Sequence, residues 1–261
     1  MEAFKYYAGT IPLVVSIPHC GTYVPPAILD RFVEPAKRLP DTDWHVERLY
    51  DFVREMGAHL LVATHSRYVN DLNRAPDDAS LYPGKFTTGL CPLTLFDGSP
   101  LYREGQAPDA AEIEERKEKY WKPYHAKLQE LLQAHDRIVL LDAHSIASQV
   151  PTLFDGILPD LNLGTAEGAS CDPQLAAALE QVCANSGYIY VHNGRFKGGY
   201  ITRHYGNPAA GIHAVQLELS QRHYMQEQHP FTYNEAKAIQ LQRCLQNFMS
   251  EMVKYLAGHT G

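Results

Sequence analysis

Hydrophobic residues fall in short runs separated by polar and glycine-rich stretches, and two of these runs lead directly into histidines. Residues 138–142 read IVLLD and continue into His144, and residues 13–17 read LVVSI and continue into His19. Continuous apolar runs of this length are typical of strands buried on both faces. Because open α/β sheets bind ligands at the carboxyl ends of their strands, the two histidines indicate a functional site there.

The remaining pattern alternates strands with helices. Further strands are predicted at 60–63, at 188–191, at 212–219 and at 67–74, the last as a strand or as the exit of the strand before it. Helices are predicted from residue 41 to 56, from 109 to 135 with a kink or division at Pro123, from 172 to 185 and from 233 to 257. Segments 75–108 and 146–170 are rich in Gly and Pro and are predicted as loops.

This alternation predicts the α/β class, with a three-layer α/β/α sandwich around a mixed, mostly parallel sheet. The pattern shows no linker or internal repeat, so residues 1–261 are predicted to form a single catalytic domain.

Composition narrows the functional classes. A net charge of −7 argues against a nucleic-acid or anionic membrane surface, and no apolar run approaches the roughly 20 residues of a membrane helix. The first residues lack the apolar stretch of a signal peptide, and the five cysteines follow no disulfide or CxxC spacing. We therefore expect a cytoplasmic protein without nucleic-acid or membrane partners.

Thirteen histidines invite a test for a metal site. A catalytic zinc takes three His or carboxylate ligands and keeps one position for water. His19 and His144 supply two imidazoles in similar contexts, and Asp43 supplies a carboxylate near the start of a predicted helix. A single histidine after a strand is more often an ordinary hydrogen-bonded loop residue, and the spacing is not that of HExxH. The pair of histidines nevertheless favours one shared metal site.

Two arginines, Arg67 and Arg74, flank a polar segment and could bind a substrate anion, because guanidinium groups match carboxylates bidentately. From the residues alone, internal salt bridges to Asp71, Asp77 or Asp78 fit the pattern equally well.

Glu218 alternates with apolar neighbours in the last predicted strand. Burial would raise its pKa toward the range of a general base, whereas on a half-covered strand it would simply be exposed. The chain contains no phosphate-binding glycine motif and no GxSxG elbow, so nucleotide binding and a nucleophilic serine are unsupported.

Seven segments together resemble the N-formylglutamate amidohydrolase (N-formylglutamate deformylase) family over nearly the whole chain. They are 16–21 (SIPHCG), 39–44 (LPDTDW), 66–74 (SRYVNDLNR), 141–145 (LDAHS), 159–165 (PDLNLGT), 197–204 (KGGYITRH) and 216–220 (QLELS). The resemblance implies a zinc-carboxypeptidase-like (phosphorylase/hydrolase-like) fold, shared with aspartoacylase-like deacylases. It also implies metal-dependent hydrolysis of N-formyl-L-glutamate to formate and L-glutamate in histidine breakdown.

Carried onto this chain, the resemblance implies one divalent metal ion, zinc or alternatively cobalt, bound by His19, Asp43 and His144. The His-x-x-Glu pair of the wider carboxypeptidase-like group is missing after His19. Asp41 and Glu47 therefore remain alternatives to Asp43 as the second ligand.

The resemblance further implies Glu218 as general base and Arg67 as the group that polarises the carbonyl. Asn73 and Arg74 are expected to hold the α-carboxylate of a small dianionic substrate, and Arg203 its γ-carboxylate. Two other functions remain open: a related deacylase or carboxypeptidase for another N-blocked acidic amino acid or short peptide, and a non-catalytic protein that binds metal or amino acids. The oligomeric state is not predicted.

Overall fold

The computed structural model describes residues 1–79 and 87–258, and a seven-stranded sheet forms its centre. The strands are β1 (Phe4–Tyr7), β2 (Leu13–Ile17), β3 (His59–Ala63), β4 (Ile138–Ile146), β5 (Leu161–Gly164), β6 (Tyr190–His192) and β7 (Ile212–Ser220). Their order across the sheet is β1-β3-β2-β4-β7-β5-β6. The four central strands run parallel, β1 is antiparallel to β3, and β5 is antiparallel to β7. The predicted mixed, mostly parallel sheet is therefore confirmed.

Helices cover both faces of this sheet. Their bounds are α1 (Pro26–Leu29), α2 (Val46–Leu49), α3 (Ala110–Arg116), α4 (Lys122–Leu132), α5 (Pro173–Asn185), α6 (Tyr200–Tyr205) and α7 (Glu235–Ala257). Leu141 of β4 packs in a core with α2, α5 and α7, whereas Leu140 packs in a second core with α4 and α6. This alternation of neighbouring residues between two cores gives the three layers that the sequence predicted.

Strand register brings polar residues together at one end of the sheet. β4 and β7 pair in parallel, with Asp142 opposite Gln216 and His144 opposite Glu218. Side chains two residues apart share one face of a strand, so Asp142 and His144 lie on the same side as Leu140. Both polar pairs therefore lie at the carboxyl ends of the central strands, on the side of α4 and α6.

The helix predicted at 41–56 is largely wrong. Only Val46–Leu49 is α-helical, and a 3₁₀ turn follows at Asp51–Arg54. The residue before α2, His45, has a left-handed backbone with φ of 64°, which prevents a helix from extending back through Asp43.

The other differences are smaller. The segment 67–74 is the exit of β3 rather than a strand, and the predicted loop 146–170 contains β5. The long helix before β4 is divided by a π-helical stretch at Lys117–Trp121, next to Pro123, as its sequence predicted. No helix of the described chain is long and apolar enough to cross a membrane.

Candidate metal centre

Three buried side chains meet at the carboxyl edge of the sheet. His19 follows β2, His144 lies in β4, and Asp43 lies in the irregular segment before α2. One ligand atom from each lies within 4.8 Å of the others. The Nδ1 atoms of His19 and His144 lie 3.8 and 3.0 Å from the same Asp43 oxygen, Oδ2. Two imidazoles and one carboxylate converging in this way could hold a metal ion, and this donor set is of the kind that catalytic zinc sites use.

Of the three candidates for the second ligand, Asp43 lies beside His19 and His144, whereas Asp41 and Glu47 are not part of this cluster. The Asp41 carboxylate accepts a hydrogen bond from the backbone N of Phe96 at 2.8 Å, and Glu47 pairs with Lys5 at 2.8 Å. The side chains of Asp41 and Glu47 are therefore engaged elsewhere.

The other ring nitrogen of each histidine, Nε2, lies close to a second carboxylate. Asp71 Oδ1 lies 2.7 Å from His19 Nε2, and Asp142 Oδ1 lies 3.0 Å from His144 Nε2. Each Nε2 atom thus faces a carboxylate, but only the contact of His19 with Asp71 has hydrogen-bond geometry, since Asp142 Oδ1 has no hydrogen-bond partner among the described residues. Both Nδ1 atoms face Asp43. Carboxylates in this position fix the tautomer and the orientation of metal-binding histidines.

Sequence reasoning did not assign this role to Asp71 or Asp142. One signal was available for Asp142, because it precedes His144 by two residues in one strand and so shares its face.

Charge within this cluster is strongly coupled. Burial would lower the pKa of His144, but Asp142 and Asp43 outweigh it and raise that pKa well above its ordinary range. Burial would raise the pKa of Asp71, but His19 and Arg67 hold it well below its usual range. Burial would also raise the pKa of Asp43, but its hydrogen bond to His144 and the positive charges of His19, His144 and Arg67 together lower it. The cluster therefore holds two anionic carboxylates ready to neutralise a cation.

Asn73 is committed to protein partners. Its Nδ2 donates to Asp142 Oδ2 at 3.1 Å and lies 2.9 Å from His144 Nε2, and its Oδ1 accepts from the backbone N of Ile201 at 2.8 Å. A Cβ on Gly199 would lie 2.3 Å from Asn73 Nδ2, so only glycine lets this backbone approach. These contacts favour a positioning role for Asn73 over the substrate clamp that the sequence suggested.

The guanidinium of Arg67 is buried beside two carboxylates. Its Nη2 donates to Asp71 Oδ2 at 2.7 Å, and its Nη1 lies 3.8 Å from Asp43 Oδ1. It also stacks over the ring of Phe96 at 4.7 Å. The internal salt bridge to Asp71, left open by the sequence, is thus present, and Arg67 also lines the cleft beside the cluster.

Glu218 is also buried and lines the same cleft. Burial raises its pKa to about 8, with the negative charge of Asp43 acting in the same direction and His144 and Arg67 opposing it. The alternative of an exposed glutamate is therefore wrong, and this carboxylate can exchange a proton near neutral pH.

The cleft has a cavity volume of about 90 Å³. Two further arginines line it: Arg74, whose Nε donates to Thr88 O at 2.7 Å, and Arg195, whose Nε donates to Leu153 O at 2.6 Å. Arg203 is not among the described residues that line the cleft, and its Nε donates to Gly198 O at 2.8 Å. The structure thus brings together all of the predicted site residues except Arg203, and it adds Arg195.

A mostly parallel sheet that carries this cluster in a cleft with a buried glutamate and arginines defines a hydrolase of the α/β class with a candidate metal centre. The family model for N-formylglutamate amidohydrolase matches residues 11–225, and the chain belongs to that family. The resemblance seen in the sequence is therefore confirmed.

Individual relatives agree. An N-formylglutamate deformylase from Pseudomonas putida is 51% identical over 97% of both chains, and one from Pseudomonas aeruginosa is 57% identical over 89% of both. A crystal structure of N-formylglutamate amidohydrolase from Ralstonia eutropha JMP134 superposes with a TM-score of 0.83 at 26% identity, covering 98% of this chain and 99% of that one.

Proposed function

We propose that this protein hydrolyses the formamide bond of N-formyl-L-glutamate, releasing formate and L-glutamate. The observation that carries the proposal is the buried cluster of His19, Asp43 and His144, set beside Glu218 in an arginine-lined cleft. The deformylases that are 51% and 57% identical support the choice of substrate.

The donor set fits one divalent metal ion, which we propose to be zinc, with cobalt as the alternative. His19, Asp43 and His144 would hold it, and Asp71 and Asp142 would keep the two imidazoles in the binding orientation. Such an ion, when bound, lowers the pKa of a water ligand from about 15.7 toward roughly 7 and polarises a carbonyl oxygen.

Glu218 is our candidate for the general base. Its carboxylate takes a proton from the attacking water and later delivers that proton to the leaving amine nitrogen of glutamate. Its pKa is about 8 without a metal, and a bound cation would lower that pKa, which leaves the carboxylate ionised and able to accept a proton at neutral pH. Glu218 pairs with His144 across β4 and β7, so its backbone lies one strand spacing from that of a candidate ligand.

Arg67 is our candidate for stabilising the oxyanion. Its guanidinium lines the cleft and stays charged at every working pH, so it can donate to the formyl oxygen as negative charge develops. Loss of such a donor typically reduces turnover by about 10²–10³-fold.

Two arginines are proposed to hold the substrate carboxylates. Arg74 remains the candidate for the α-carboxylate. For the γ-carboxylate we prefer Arg195 to Arg203, because Arg195 lines the cleft. Apolar side chains that also line the cleft, Phe96, Leu153 and Phe196, would exclude water and strengthen these ion pairs.

A substrate panel tests the proposal. The protein is loaded with Zn²⁺ or Co²⁺ and given N-formyl, N-acetyl and N-succinyl derivatives of glutamate and aspartate, and the released amino acid is measured. We expect kcat/KM to be highest for N-formyl-L-glutamate, by at least about tenfold. Preference for another acyl group would point to a related deacylase instead. Tight binding without hydrolysis of any compound would show a binding protein.

A further inference from the structure

Asp43 lies outside regular secondary structure, and its two neighbouring carbonyls are held by another part of the chain. Gln221 Nε2 donates to Thr42 O at 3.0 Å, and Tyr224 Oη donates to Trp44 O at 2.9 Å. Both donors follow β7, and both are buried. The segment that carries Asp43 is therefore fixed from both sides by tertiary hydrogen bonds.

The number of hydroxyl protons determines which atom donates in each of the remaining hydrogen bonds. Tyr224 has one hydroxyl proton, and the carbonyl of Trp44 can only accept, so that proton goes to Trp44. In the 2.6 Å contact between Tyr224 Oη and Ser145 Oγ, the donor must then be Ser145. Gln221 Nε2 in turn donates to Ser145 Oγ at 3.3 Å. The hydrogen bonds thus run in one direction, from Gln221 through Ser145 and Tyr224 to Trp44.

This chain of hydrogen bonds also reaches the carboxylate. The backbone N of Ser145 donates to Asp43 Oδ2 at 3.1 Å, which is the oxygen that faces both histidine Nδ1 atoms. The backbone N of Asp43 donates to His19 O at 3.1 Å. Because the Ser145 hydroxyl proton is committed to Tyr224, Ser145 acts as a link in this network and not as a nucleophile.

We propose that Gln221 and Tyr224 are positioning residues that hold Asp43 ready to bind the cation. This inference rests on the metal centre of the proposed function. A carboxylate on an irregular segment would otherwise lose conformational entropy on binding the ion, so fixing it in advance strengthens binding.

The test uses Tyr224→Phe, which removes only the hydroxyl. Dissociation constants for Zn²⁺ are measured by competition with a chelator, and the Co²⁺-loaded protein is examined by visible absorption. We expect Zn²⁺ binding to weaken by about 10–100-fold, with an altered Co²⁺ spectrum. At saturating metal, KM for N-formyl-L-glutamate should stay unchanged, because Tyr224 lies outside the cleft lining among the described residues.

The chain offers a matched control in Tyr124→Phe. Tyr124 is equally buried, and its hydroxyl also contacts a serine hydroxyl and a carbonyl, Ser16 Oγ at 2.8 Å and Leu61 O at 3.4 Å. In the described part of the chain, the Tyr124 hydroxyl makes no hydrogen bond to the segment of Asp43. We expect Tyr124→Phe to lower thermal stability by a similar amount and to leave Zn²⁺ affinity at the wild-type value.

A second variant, Gln221→Met, removes the amide donors and should weaken Zn²⁺ binding in the same way, so the proposal stays testable if Tyr224→Phe does not fold. Wild-type Zn²⁺ affinity in both variants would overturn the positioning role and leave the proposed function intact. A wild-type protein that binds no metal would overturn both.

Discussion

Glu218 should lose a proton when the metal binds, and comparison with Glu218→Gln separates this proton from the others that are released. With a pKa of about 8, the Glu218 carboxyl is almost fully protonated in the metal-free protein at about pH 6. His144, whose pKa is raised well above its ordinary range, is protonated too. Metal binding should release both protons, because a histidine must lose its extra proton to bind a metal ion and a carboxyl ionises beside a cation.

The structure gives the size of the effect. Glu218 pairs with His144 on the adjacent strand, and we take the general spacing of neighbouring strands, about 5 Å, as its distance from a bound cation. A double charge at about 5 Å, with an effective dielectric constant of about 20, stabilises a carboxylate by about 6–7 kcal/mol, and loss of the positive charge on His144 removes about half of that. The remaining energy of about 3 kcal/mol corresponds to about two and a half pKa units, which lowers the pKa of Glu218 from about 8 to below 6.

Calorimetric titration with Zn²⁺ at about pH 6, in buffers of different ionisation enthalpy, counts the released protons. Wild type should release about 0.7 proton more than Glu218→Gln, because the variant keeps His144 but has no carboxyl at position 218. The variant should still bind metal and substrate, with turnover reduced by about 10²–10⁴-fold. Equal proton release in the two proteins, or near-normal turnover of the variant, would refute the reasoning about Glu218.

Three further outcomes are expected. Arg195→Met should raise KM for N-formyl-L-glutamate at least about tenfold while Arg203→Met changes it little, and equal effects would argue against Arg195 as the γ-carboxylate ligand. Burial raises the pKa of Asp41 from 3.8 to about 6, so the folded state disfavours its charge, and wild-type stability is lost as pH rises through that interval. In urea unfolding, Asp41→Asn should therefore gain about 3 kcal/mol relative to wild type between about pH 4 and pH 7, and a constant difference would contradict the assignment. Gly199→Ala should displace Asn73 from His144 and weaken Zn²⁺ binding about tenfold, which chelator competition would detect.

Much of the sheet could be predicted because its central strands are long and buried along almost their whole length. The run that became β4 begins with four apolar residues, which is typical of a strand buried on both faces, and β7 was indicated by its alternation of apolar and polar residues. The rule that ligand sites lie at the carboxyl ends of such strands then brought His19 and His144 together, and their ring centroids lie 4.8 Å apart.

The other features of the site could not be predicted, because they depend on contacts between residues that are far apart in the sequence. The hydrogen bond that His19 donates to Asp71 spans 52 residues, and no local pattern indicates it. Arg195 and Arg203 lie in one glycine-rich stretch, and their different positions follow from the short helix α6, which the sequence did not predict. α6 places Arg203 where its Nε bonds to Gly198 O, away from the cleft lining. Likewise, the left-handed residue His45 ended a helix that the apolar pattern extended too far.

The central claim is that His19, Asp43 and His144 share one cation that hydrolysis requires. The most direct measurement is the metal content of purified protein, taken together with its rate of N-formyl-L-glutamate hydrolysis before and after chelation and for His144→Ala. We expect about one metal ion per chain, loss of activity on chelation, recovery on adding Zn²⁺ or Co²⁺, and loss of both metal and activity in His144→Ala. Undiminished hydrolysis by metal-free protein, or a full equivalent of metal in His144→Ala, would contradict it.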